Sequence, residues 1–179
     1  MQFKELDLEG VWMGTFQPLN DSRGSFREWF RFDKFNEETG LNFNVVQSNC
    51  SNSQKNVMRG IHYSSAVSGQ DKWVTCLKGS ILDVIVDLRV SSKNFGKNVL
   101  INLNADVGNS IYIPAGFGHG FLSLENDTIT VYNLSKKYEP KNEYAINLFD
   151  KTLKIDWPDV KPILSINDQK APEFNQIFK

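Results

Sequence analysis

The sequence predicts an all-β fold: a jelly-roll sandwich or barrel of short strands with a few short helices. Three observations carry that expectation. Period two, the side-chain period of strands, dominates the chain. Turn chemistry separates the apolar segments at short intervals, a spacing that suits sandwiches and barrels better than βαβ units. Helical patterning is confined to one short stretch and the tail. An antiparallel jelly roll accommodates all three and closes most sheet edges.

Taken in order, segment 26–32 alternates, with Phe26, Glu28, Phe30 and Phe32 opposite Arg27, Trp29 and Arg31, and reads as a strand. Residues 33–39 read as a short helix, with Asp33 as N-cap and Gly40 just past its end. Short strands follow at 45–51, 58–64 and 72–78. Residues 81–90 alternate best. Leu82, Val84, Val86, Leu88 and Val90 make a dry face, and Ile81, Asp83, Ile85, Asp87 and Arg89 a mixed one. Further strands are expected at 99–103, 110–113, 119–124 and 128–135. Asn52–Asn56, Gly69-Gln70, Lys78-Gly79, Ser92–Gly96, Gly108-Asn109, Pro114–Gly118 and Asn126-Asp127 supply the turns between them. Beyond Trp157-Pro158 the tail carries Pro162 and Pro172 and reads as mostly irregular, with one more helical turn.

The 179 residues fit a single domain, 1–179. A domain of that size buries roughly 70% of its unfolded surface, enough for a core without staples. Lys plus Arg number 20 and Asp plus Glu 21, a net charge of −1. That balance argues against nucleic acid or an anionic membrane as the main partner. It leaves room for a local basic pocket that takes a phosphorylated small molecule. Cys50 and Cys76 are too few for a disulfide scaffold and are expected as buried small apolar residues. The opening MQFKELDLEG is acidic and lacks the apolar core of a signal peptide. The most apolar run, ILDVIVDLRV, is broken by Asp83 and Asp87, so no membrane span is expected. A reducing cytoplasm is the expected location.

Several strand faces are polar where a simple core would be apolar. Gln47, Asn49 and Ser51 share one; Thr128, Thr130 and Tyr132 share another; His62 shares a third with Met58, Gly60 and Ser64. One such face alone fits a solvated exterior, whereas several together favour a ligand cavity in the lumen. The chain has two histidines, far apart in sequence: His62 within Met58–Tyr63 and His119 within Ile113–Phe121. A metal-binding jelly roll needs two neighbouring histidines, a carboxylate soon after and a later third histidine. That pattern is missing, so no zinc or iron centre is expected. No Gly-rich phosphate loop of the Walker or Rossmann type is present, and neither cysteine has a nucleophile signature.

Specific motifs follow one another along the chain. They are Asp21-Ser-Arg-Gly-Ser-Phe-Arg-Glu28, Gln47-Ser-Asn-Cys-Ser51, Asn56-Val-Met-Arg-Gly-Ile-His-Tyr63 and Lys72. Then come Gly79-Ser-Ile-Leu-Asp-Val-Ile-Val-Asp-Leu-Arg89, Phe95-Gly96 and Ile113-Pro-Ala-Gly-Phe-Gly-His-Gly-Phe121. Tyr132, Tyr138-Glu-Pro140, Ile155-Asp-Trp-Pro158 and Leu164-Ser-Ile-Asn-Asp168 complete the series. In these motifs, their order and their spacing from Asp21 to Pro172, the chain resembles the dTDP-4-dehydrorhamnose 3,5-epimerase family, cupin-fold epimerases of nucleotide-linked deoxysugars.

The resemblance implies a homodimer of cupin-type jelly rolls without metal or organic cofactor, acting on a dTDP-linked 4-keto-6-deoxy sugar at C3 and C5. By position, His62 matches the catalytic base, Asp168 the carboxylate paired with it, and Tyr132 the acid on the other side of the sugar. Lys72 and His119 match residues near the keto group. Arg23, Glu28, Gln47, Asn49, Arg59 and Glu143 match nucleotide-binding positions, Phe26 and Ser51 belong to the same substrate-binding set, and Tyr138 matches an aromatic beside the nucleotide-sugar.

These residue types suit the chemistry. Inverting a carbon next to a ketone requires proton removal to an enolate and reprotonation on the opposite face. Histidine titrates near neutral pH and suits the base. A preset lysine charge can hold the enolate oxygen, a phenol can return the proton, and arginine forks suit the diphosphate. The chain departs from the family at three places: Ser64 replaces a usual glutamine, and Asn133 and Asn167 replace common lysines. The stretch Ile61–Val74 is also similar to the branch that inverts one centre. A C3-only or C5-only epimerase of a related sugar nucleotide, and a non-catalytic sugar-nucleotide-binding cupin, therefore remain open as alternatives.

Overall fold

A computed structural model describes residues 2–65 and 69–178 of the chain. Residues 66–68, part of the stretch similar to single-centre epimerases, lie outside the described residues. In chain order the elements begin with β1 (Gln2–Glu5), β2 (Trp12–Thr15), β3 (Leu19–Asp21), β4 (Gly24–Phe26) and α1 (Phe32–Thr39). They continue with β5 (Gln47–Ser53), β6 (Met58–Ser64), β7 (Lys72–Lys78), β8 (Ser80–Asp87) and β9 (Asn98–Asn104). The last are β10 (Asn109–Ile113), β11 (Phe117–Ser123), β12 (Thr128–Leu134), β13 (Glu143–Ala145), α2 (Ile166–Gln169) and α3 (Phe174–Ile177).

The strands form a six-stranded sheet ordered β1-β2-β10-β7-β12-β5 and a five-stranded sheet ordered β13-β6-β11-β8-β9. The order interleaves distant strands, and every sheet pairing is antiparallel, as a cupin-type jelly roll requires. Alternation sorts each strand into an inner and an outer face. Val74, Ile111 and Ile113 of one sheet meet Ile81, Ile85, Leu103 and Phe121 of the other in the core between them.

Both outer faces are covered as well. On the six-stranded sheet, Trp73 and Tyr112 carry an aromatic layer in which Phe35 of α1 and Phe43 are fully buried. On the five-stranded sheet, Val84, Val86 and Leu122 pack under Ile146, Leu148, Leu153 and Phe174 from the C-terminal region. Strand β8 is therefore buried on both faces. Its mixed face, with Ile81, Asp83 and Ile85, points into the sandwich, and its dry face lies under the tail. The tail is anchored by the Val57–Ile163 bridge and by Met58 donating its N–H to Ile163 O at 3.0 Å.

Four expectations are corrected. Residues 27–31 form no strand. That segment lies on the aromatic layer, where Trp29 and Phe30 pack and Trp29 O accepts from Trp73 Nε1 at 3.1 Å. Arg27 spans to the carbonyls of Ala105 and Cys76. Side-chain donors hold the segment where no neighbouring strand pairs with it. Second, α1 starts one residue earlier than expected, with Arg31 at the N-cap and no side-chain cap bond. Asp33 lies in the first turn and binds Arg31 and the Lys34 N–H, while Gly40 ends the helix as expected. Third, β8 stops at Asp87: Arg89 folds back onto that carboxylate at 2.7 Å, and Val90 is exposed. Fourth, Cys76 is buried, its thiol pushed up to about 11 by that burial, but Cys50 is exposed on β5. The pattern also missed β1, β2, β3 and β13, which are short or polar, and the tail holds two helical turns rather than one.

Candidate functional site

A cavity of about 460 Å³ opens inside the sandwich, lined by residues of both sheets and of α2. The six-stranded sheet contributes Asn49 and Ser51 of β5, Lys72 of β7 and Tyr132 of β12. Asn49 and Tyr132 are cross-strand partners, which carries the polar face of β5 into the same wall as the phenol. The other two residues of the expected face, Thr128 and Thr130, are fully buried and do not line the cavity.

The five-stranded sheet contributes Arg59 and His62 of β6, His119 of β11 and Glu143 of β13. Simple alternation would put Arg59 and His62 on opposite faces. The pairing of β6 with β11 shifts register between His119↔His62 and Phe121↔Arg59, and both side chains reach the cavity. The shift centres on Gly60, at φ 129, where any Cβ would stand 2.5 Å from the Cα of Gly120. Met58 and Ile61 then share the tail-covered side, and the expected face of Met58, Gly60, His62 and Ser64 is broken.

His62 Nε2 lies 2.6 Å from Asp168 Oδ1. Ser165 caps α2 and holds this carboxylate in place. Its hydroxyl accepts from the Asp168 N–H at 3.1 Å and donates to Oδ2 at 2.8 Å. Burial works to raise the Asp168 carboxyl, but the hydrogen bonds from His62 and Ser165 outweigh it and hold the group below the usual carboxylate range. The imidazole is 47% exposed and the carboxylate 5%, so the pair presents its ring to the cavity and keeps its charge behind.

Across the cavity floor, Lys72 is 7% exposed. Burial pulls its amine below the usual lysine value, while the negative charges of Glu143 and Asp83 oppose that fall and favour the ammonium. His119 Nε2 lies 2.7 Å from Asp83 Oδ2. Glu143 accepts a 2.7 Å bond from Ser64 Oγ, so the serine that departs from the family pattern is tied to a cavity carboxylate. At the rim, Gln47 donates to Asn49 at 2.9 Å and accepts from the Tyr138 N–H at 2.9 Å, while Tyr138 itself lines the opening.

The structure thus gathers His62, Tyr132, Asp168, Lys72, Asn49, Ser51, Arg59, His119, Tyr138 and Glu143 around one space. Gln47 stands just outside it. Arg23, Phe26 and Glu28 do not line it. Arg23 extends from the β3–β4 hairpin, 87% exposed, bound to Asp21 at 2.6 Å. Phe26 is 68% exposed, and Glu28 faces Arg31 at 3.7 Å. Sequence reasoning overlooked Ser165, Asp83, Gln70 and Tyr144. A carboxylate between two core isoleucines on β8 was the one available signal for Asp83. Among the described residues no group of three or more His, Cys, Asp or Glu could hold a metal ion. No described helix is long and apolar enough to cross a membrane.

Comparison with known proteins gives consistent findings. The family model described as dTDP-4-dehydrorhamnose 3,5-epimerase matches residues 5–176. A dTDP-4-dehydro-6-deoxyglucose 3-epimerase from a Streptomyces species is 40% identical over 168 residues, 93% of this chain and 86% of the relative. Among solved structures, the rmlC epimerase of Mycobacterium tuberculosis superposes with a TM-score of 0.95 at 38% identity, covering 99% of this chain and 90% of that one. A dTDP-6-deoxy-D-glucose-3,5-epimerase from Legionella pneumophila, solved with dTDP-4-keto-L-rhamnose, gives a TM-score of 0.93 at 34% identity, covering 98% and 94%.

Proposed function

The chain belongs to the dTDP-4-dehydrorhamnose 3,5-epimerase family, and on that premise we propose that it inverts C3 and C5 of a dTDP-4-keto-6-deoxyhexose by removing and returning the proton at each carbon. It is an isomerase. The observation that carries the assignment of roles is the His62–Asp168 pair, 2.6 Å apart, facing a cavity that also holds Tyr132 and Lys72.

His62 takes the proton next to the C4 ketone. Asp168 fixes the ring and balances the imidazolium formed, as a carboxylate behind a catalytic histidine does. The Lys72 ammonium meets the enolate oxygen in a nearly dry pocket, where a fixed charge acts more strongly than in water. Tyr132, on the opposite sheet, returns the proton from the other face. Arg59 faces the diphosphate, and Tyr138, 55% exposed at the rim, offers a flat surface to the base.

Arg23, Phe26 and Glu28 serve the site of a second copy. The support for this is that the β3–β4 hairpin exposes Phe26 and Leu19 at 68% and 70% and does not line the cavity of its own chain. The protein is accordingly a homodimer, one catalytic unit spans the whole chain, and it works in the cytoplasm. A second reading, inversion at C3 alone, is favoured by the 40% identical relative named a 3-epimerase.

The test is incubation with dTDP-4-keto-6-deoxyglucose in heavy water, with NMR of the product. Deuterium at C3 and C5 supports the first reading, and deuterium at C3 alone the second. Binding of the nucleotide-sugar with no exchange would leave only a sugar-nucleotide-binding module. His62→Asn should lower exchange by about 10²–10⁴-fold while dTDP still binds.

A further inference from the structure

His62 and His119 are cross-strand partners on β6 and β11, and each has Nε2 against a carboxylate, at 2.6 Å and 2.7 Å. The two pairs differ in exposure. The His62 ring is 47% exposed, open to exchange a proton with substrate and solvent; the His119 ring is 9% exposed and the Asp83 side chain fully buried. Asp83 stands between Ile81 and Ile85, both in the core, where an apolar side chain would pack without any desolvation cost. Among the described residues its Oδ1 has no hydrogen-bond partner, and its other oxygen is committed to His119. What that carboxylate meets is two groups of the cavity wall, His119 by a hydrogen bond and Lys72 by its charge.

We infer that Asp83 is a positioning residue: it holds His119 Nε2 and thereby turns the other ring nitrogen into a fixed hydrogen-bond donor for the keto oxygen, beside Lys72. The inference rests on the epimerase reading of the same cavity. Hydrogen accounting explains the carboxylate. With Nε2 engaged by Asp83, Nδ1 is the ring nitrogen left for the cavity, and its N–H is the donor. Two donors, the Lys72 ammonium and the His119 ring N–H, then meet an oxygen that becomes negative only as the enolate forms. His119 acts as an immobile donor while His62 acts as the mobile base.

The test is a double-mutant cycle on the intact enzyme. Asp83→Asn keeps the shape and removes the charge. It is expected to lower kcat by about 10²–10³-fold, the usual loss for one oxyanion donor, with KM within about twofold of the wild type. His119→Asn should show the same split. Because Asp83 acts mainly through His119, with a lesser charge effect on Lys72, the double variant should be slower than His119→Asn by far less than the loss in Asp83→Asn alone. Losses that multiply, an unchanged kcat in Asp83→Asn, or a change confined to KM would each overturn the inference. If Asp83→Asn does not fold, ¹⁵N spectra of the wild type answer the same question, since the chain has two histidines and His62→Asn assigns the pair. A protonated Nδ1 on His119, with Nε2 bonded to a carboxylate, supports the inference, and an unprotonated Nδ1 overturns it. A wild type that takes up no deuterium would instead refute the epimerase reading and leave the ring signature measurable.

Discussion

Arg59 and His62 stand on the same wall of the cavity, although strand alternation over the three positions that separate them would send them to opposite faces. The register shift of β6 against β11 supplies the missing half-period. Its consequence is chemical: the cation proposed for the diphosphate and the base proposed for the sugar point into one space.

Gly60→Ala tests that arrangement. The residue sits at φ 129 with the Gly120 backbone 2.5 Å from where a Cβ would stand, so strain and overlap add. Gly24 has a similar φ of 123 and no atom within 4 Å, so Gly24→Ala carries the strain alone. Gly60→Ala should cost at least about 3 kcal/mol, a fall in Tm of about 6–12 °C, and Gly24→Ala clearly less. Equal losses by calorimetry would mean that the close approach of β6 and β11 contributes nothing.

Asp168→Asn should slow exchange less than His62→Asn, because the base survives without its carboxylate. It should also alter acid stability. The folded carboxyl lies below its ordinary value, so folding favours the ionised form. That contribution is present above about pH 4 and is lost as pH falls through the lowered folded value. The wild type should exceed the variant by about 1–3 kcal/mol at pH 7, with the gap closing below about pH 4. Denaturation at both pH values measures it, and a gap that widens in acid contradicts the assigned sign.

Tyr132→Phe separates proton removal from inversion. Removal needs His62 and the charge on Lys72, while inversion needs a proton from the opposite sheet. The variant should still take up deuterium from heavy water yet form epimer poorly, at C5 especially. If uptake and inversion fall by one factor in a time course, the phenol only positions the sugar.

The hairpin carries the fourth prediction. Light scattering should give about twice the 20.4 kDa chain mass. Arg23→Ala and His62→Asn, each weak alone, should recover about a quarter of wild-type activity when mixed and allowed to exchange subunits. A hybrid dimer then has one site with both residues intact. No recovery despite exchange would place the hairpin's role within its own chain.

Period two in the sequence located β6 and β7 residue for residue and β5, β8, β9, β10, β11 and β12 to within a few positions. The polar face of β5 marked a cavity wall, whereas on β12 Tyr132 lines the cavity and Thr128 and Thr130 do not. The family resemblance that the motifs carry pointed to His62, Tyr132, Lys72 and Asp168. Local pattern could go no further, because alternation reports that a residue has a face but not what lies opposite it. Residues 27–31 alternate like a strand, yet they lie on an aromatic layer with no strand to pair with. Asp83 reads as one of several polar residues on a mixed face until β8 and β11 are laid side by side and His119 comes to 2.7 Å. Arg23, Phe26 and Glu28 match binding positions in the motif but stand away from the cavity of their own chain. The sequence by itself determined most strands of the two large sheets, since alternation is a short-range signal, and its resemblance to the family pointed to the chemistry-bearing residues. Which wall each residue faces, and which carboxylate backs which histidine, depended on sheet register and on a bend at Gly60, and only the tertiary structure decided them.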